Sequence, residues 1–91
     1  MRFELPWYDV NYRDGRDHDT PAGKKLAELN AFLMSKWIRW WIANLDEKWE
    51  LVQRYTEHVV LEIDDPVSWE ELRQIKKIVS ELLRIMRETN P

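Results

Sequence analysis

Ninety-one residues with 44% apolar and 34% charged side chains describe a single globular domain, residues 1–91, and exclude a disordered or low-complexity chain. The net charge of −3 gives no bulk attraction to nucleic acid or anionic lipid, so any such binding needs a local cluster of cations. The absence of cysteine removes disulfides and thiolate chemistry, and a start, "MRFELPWYDV", without an apolar run of signal-peptide length makes a cytoplasmic location the expectation.

In residues 2–12, Phe3, Leu5 and Trp7 alternate, and Tyr8, Val10 and Tyr12 continue after a change of phase. This predicts a strand with a bulge, restricted to a sheet edge or an irregular start by Pro6. "RDGRDHDTPAG" then reads as turn and loop, with Thr20 as helix N-cap and Pro21 at the first helical position. Its acids and His18 fail the calcium-loop spacing, because Gly15 comes early and Pro21 stands where an acid is needed. No metal site is expected there, and no cofactor is implied elsewhere.

Residues 24–57 contain no glycine or proline, and a helical wheel gathers Leu26, Leu29, Leu33, Met34, Trp37, Ile38, Trp41, Leu45, Trp49, Val52 and Tyr55 into one sector. The reading is one long helix, although Asn44 and Asp46 offer a break into two. The sector spans about 200°, roughly twice the stripe of a surface helix, so the helix needs cover from two directions. "SKWIRWWIANL" within it carries Trp37, Trp40 and Trp41. Such a stripe is ordinarily core, but Trp37, Trp40, Trp41 and Trp49 are also the candidate anchors for a partner, because tryptophan is enriched at interface hot spots. Membrane insertion is not expected: Glu28, Lys36 and Arg39 interrupt residues 26–45, and acids balance bases on the polar face.

"HVVLEID" is rich in β-branched residues and predicts a short strand. The last helix starts either at Asp65 with Pro66 or at Ser68 with Glu71 in a capping box, and runs to about Glu88. Leu72, Ile75, Val79, Leu82 and Met86 form its apolar seam. Opposite them Arg73, Lys76, Lys77, Arg84 and Arg87 form a basic stripe suited to an acidic partner or to phosphates, bordered by Glu70, Glu81 and Glu88. No serine lies in a nucleophile-elbow context and no glycine-rich nucleotide motif occurs, so an enzyme is not expected.

The expected fold class is a small α+β domain, ordered strand, long helix, strand, helix, with two helices packed on a small sheet. Two strands joined through a helix imply parallel pairing with a right-handed crossover. The competing architecture is an all-α helical hairpin with an irregular N-terminal arm. The expected function is a non-enzymatic protein–protein interaction or oligomerisation module that presents a tryptophan-rich apolar helix face, most simply as a homo-oligomer. Strand edges at Val59–Ile63 are the expected pairing sites. The alternative is nucleic-acid binding through the basic stripe.

Overall fold

A computed structural model describes residues 1–6, 8, 19–44 and 59–89. Its elements are β1 (Arg2–Glu4), α1 (Pro21–Ser35), β2 (Trp40–Asn44), β3 (Val59–Ile63) and α2 (Trp69–Glu88). Two helices pack on a three-stranded antiparallel sheet of order β1-β3-β2. The α+β class holds, and the sheet excludes the all-α hairpin.

Both helix starts follow from local chemistry. Thr20 Oγ1 accepts the Gly23 amide at 3.0 Å with Pro21 at the first position, which satisfies an amide that the first helical turn would leave unpaired. At α2, Ser68 Oγ accepts the Glu71 amide at 3.2 Å, so Ser68 is the cap and not Asp65.

The single long helix over residues 24–57 is corrected: α1 stops at Ser35 and β2 begins five residues later. The stop is a Schellman motif. The Ile38 amide donates to Leu33 C=O at 2.9 Å and the Trp37 amide to Met34 C=O at 3.2 Å, while Trp37 takes φ = 59°. Ile38, the residue after the left-handed position, packs against the core as this motif favours. The next five residues, "WWIAN", favour an extended pleat over a helix through their aromatic and β-branched side chains.

Adding β2 also overturns the parallel crossover. β3 lies in the middle of the sheet, antiparallel to both neighbours, with Leu61 opposite Phe3 on one side and Ile42 on the other. Its two edges are therefore both occupied, and Val59–Ile63 cannot offer an edge for pairing. Of the predicted strand over residues 2–12, only Arg2–Glu4 is a strand among the described residues; the change of phase between Trp7 and Tyr8 involves Trp7, which lies outside them, as do residues 9–12.

Val59, Leu61 and Ile63 point one way from β3, onto Leu26, Leu29 and Leu33 of α1 and Ile75, Ile78, Val79, Leu82 and Met86 of α2 within one buried cluster. The seam residues on α2 step by three and four, so one stripe of the helix is buried while its opposite side faces water. Lys25 on α1 ties the two helices at their margin, with Nζ 2.6 Å from Glu81 Oε2 and 2.7 Å from Glu28 Oε2. The bonds to Glu28 and then Glu81 raise the Lys25 pKa, and the bond from Lys25 lowers that of Glu81.

Candidate interaction surfaces

The structure divides the tryptophans that the sequence placed on one helix face. Trp37 sits in the turn after α1, Trp40 and Trp41 lie on opposite faces of β2, and Trp49 falls outside the described residues.

Trp40 faces the helices. It lies opposite Ile63, packs against the core, and its indole N–H donates to Asn30 Oδ1 on α1 at 2.9 Å. An indole half-buried in this way needs a partner for its N–H, and Asn30 supplies it. Trp41 faces the other side, where it stands in a row with Glu62 and Arg2 across the three strands. Arg2 Nε lies 2.9 Å from Glu62 Oε1, and Arg39 Nε lies 3.3 Å from Asp64 Oδ2. The Arg39 guanidinium also sits 5.2 Å from the centre of a Trp41 ring, within cation–π range. This end of the outer sheet face is thus a charged lattice with one aromatic ring in it.

Among the described residues Trp37 is the one non-glycine residue with a left-handed backbone. A tryptophan in the left-handed region occupies the place that glycine normally fills in this motif, and its side chain is 96% exposed. Nothing in the fold is gained from the indole, while the backbone bears its cost. Trp37→Gly is expected to stabilise the protein by about 1 kcal/mol, raising the thermal midpoint by several degrees. An unchanged or lower midpoint would show that the indole makes compensating contacts. Met34, one turn earlier, is also exposed.

The edge of β2 is the second feature. The Asp64 amide donates to Arg39 C=O at 2.9 Å, which makes Arg39–Asp64 a hydrogen-bonded pair. In an antiparallel ladder such pairs alternate, so Trp41 and Ala43 point their backbone groups at β3. Trp40, Ile42 and Asn44 then direct their N–H and C=O groups away from it. Among the described residues β2 pairs with β3 alone, so this outward row has no strand beside it. The five residues "WWIAN" contain neither proline nor charge, the usual devices that blunt an edge.

A third surface surrounds the start of α2. An open groove of about 440 Å³ runs between Met1, Val67, Trp69, Leu72 and Lys76. Val67 is 96% and Trp69 80% exposed. From Trp69 the exposed side of α2 continues through Arg73, Lys76, Lys77, Arg84 and Arg87, so the structure keeps the whole basic stripe in solvent. Arg84 Nη1 lies 3.4 Å from Glu88 Oε1. Arg73, Lys76, Lys77 and Arg87 form no ion pair among the described residues.

Sequence reasoning missed Trp69 and the β2 edge as features. Trp69 stands off the Leu72–Met86 seam, which was the available signal that it does not belong to the core. For β2 the signal was alternation: Arg39, Trp41 and Ala43 against Trp40 and Ile42. Among the described residues no three His, Asp or Glu side chains gather as metal ligands, and no helix is long and apolar enough to cross a membrane. The acidic loop at residues 14–18 and His58 lie outside the described residues.

The fold and these surfaces define a small α+β domain in which, among the described residues, no strand pairs with the outer edge of β2. In comparisons with protein-family models, with curated proteins and with solved structures, nothing matches the chain.

Proposed function

We propose that the protein is a non-enzymatic oligomerisation module that pairs with a second copy of itself through the outer edge of β2. The observation that carries this reading is the outward row of backbone groups at Trp40, Ile42 and Asn44, on an apolar strand with no proline or charge to deter pairing. A two-fold axis through Ile42 would set Ile42 against its own counterpart and Trp41 against Ala43. Isologous pairing of this kind needs only one self-complementary surface. Counting the described elements, the product is a continuous antiparallel sheet of six strands with four helices on one face, in place of a three-stranded sheet near the lower size limit for stability. This replaces the helix face of the sequence-based expectation by a strand edge, because the tryptophan segment is a strand.

The apolar contribution comes from Trp41, which is half-buried at the edge strand and gains a neighbouring strand to pack on. Trp37, exposed in the adjoining turn, is the remaining large apolar side chain of this segment that faces water. Light scattering behind a sizing column tests the reading. The expected molar mass is twice the 11.2 kDa of the chain, falling towards one chain on dilution. A single-chain mass at every concentration would overturn it.

A further inference from the structure

We propose that the exposed face of α2, headed by Trp69, binds single-stranded nucleic acid, with the Trp69 indole stacking on a base and Arg73, Lys76, Lys77 and Arg87 following the phosphates. This surface lies on a different element from the β2 edge, and the inference stands independently of self-pairing.

Five cations and four glutamates occupy α2, a balance that would leave a largely self-paired face with a single cation over if each glutamate served a neighbouring cation. The structure distributes them otherwise. Glu81, positioned four residues after Lys77 and three before Arg84, gives its carboxylate to Lys25 of α1 at 2.6 Å. Glu71 turns inward: its side chain is half-buried, and its Oε2 is shielded from water. Glu88 is engaged by Arg84. Among the described residues Glu70, at the first turn, stands beside the stripe without an ion pair, and Arg73, Lys76, Lys77 and Arg87 lie in solvent with no carboxylate in contact, although Glu81 still lies within the field of Lys77. A net charge of −3 on the chain makes this local surplus a distinct feature against the acidic remainder.

The second element is the aromatic ring. Trp69 is the first residue of α2 and is 80% exposed, at the head of the row, with Arg73 and Lys76 following at helical spacings of four and seven. Sequence-tolerant binding of single strands combines a cationic track with an aromatic stacking platform, and such sites begin at about four nucleotides. From Trp69 to Arg87 the helix advances roughly 27 Å, enough to carry a strand of that length. A duplex offers no unstacked base to Trp69, and the carboxylates of an acidic polypeptide present no flat ring to the indole. The ring therefore favours a single strand over either.

The test uses the full chain and fluorescein-labelled oligothymidylate, with anisotropy measured from low to physiological salt. Affinity is expected to fall as salt rises, with a logarithmic slope of about −0.7 for each phosphate contacted. Arg73→Gln combined with Lys76→Gln should remove roughly half of that slope. Trp69→Ala should weaken binding about tenfold and leave the slope unchanged, since stacking releases no counterions. All three side chains are exposed, so the variants should keep the far-ultraviolet dichroism of the parent. Absence of salt-sensitive binding at low salt would overturn the proposal. Unchanged affinity in Trp69→Ala would do the same. Displacement by polyglutamate as effective as by unlabelled oligothymidylate would assign the face to an acidic protein instead.

Discussion

Leu82→Ala is expected to destabilise the protein by about 2–5 kcal/mol, a large part of the total stability of a domain of this size. Leu82 is fully buried on the inner stripe of α2, among the side chains that β3 and α1 direct into the shared core. Truncation removes its transfer free energy and leaves a cavity whose walls come from three different elements, so no single element can move in to fill it. A urea titration should show the midpoint falling with little change in slope. The adjacent residue provides the contrast. Leu83 only borders the core and stays partly exposed, so Leu83→Ala should cost clearly less. Equal effects at the two positions would mean that α2 is rotated about its axis relative to the arrangement described.

The second large effect concerns association. Ile42→Pro should convert the protein from dimer to monomer at concentrations where the parent is dimeric. Proline removes the Ile42 amide, and in this ladder that amide points outward, away from β3. An edge strand tolerates proline in such a position, and the preceding Trp41 is already extended as proline demands. In a pairing centred on Ile42 two inter-chain hydrogen bonds disappear and two rings intrude, a loss of about 3 kcal/mol or roughly a hundredfold in dissociation constant. Ala43→Pro supplies the opposite pattern. Its amide points at β3, so the substitution damages the fold of each chain. Similar behaviour of the two variants would contradict the ladder phase on which the edge assignment depends.

The parts of this fold that could be read from the sequence are those fixed by short-range chemistry. Thr20 followed by Pro21, and Ser68 three residues before Glu71, announce helix starts whatever the rest of the chain does. The β-branched run at Val59–Ile63 announces a strand. The end of α1 was not legible because its usual marker is missing: the left-handed position holds Trp37, where glycine would have signalled a stop. Apolar residues then continue at helical spacing by coincidence, Leu33, Trp37 and Trp41 being four apart. The width of the resulting apolar sector was itself the symptom. A stripe of about 200° arose from laying a helix and a strand on one wheel, where two-sided alternation scatters side chains over both faces.

Sheet order lay further out of reach. The parallel arrangement followed from two strands and one intervening helix, and one undetected strand was enough to reverse it. The same omission assigned the pairing edge to β3, which the structure places at the centre of the sheet. The basic stripe, by contrast, was legible in full, because Arg73, Lys76, Lys77, Arg84 and Arg87 lie on a helix whose seam was already correct. What the sequence could not show was the capture of Glu81 by Lys25, a contact across 56 positions that leaves the stripe its surplus of charge.

Amide hydrogen exchange followed by nuclear magnetic resonance over a range of protein concentrations tests the pairing edge most directly. Trp41 and Ala43 should be protected throughout, while Trp40, Ile42 and Asn44 gain protection together as concentration rises and the second copy covers them. Rapid exchange at Trp40, Ile42 and Asn44 at every concentration, with Trp41 and Ala43 still protected, would contradict it.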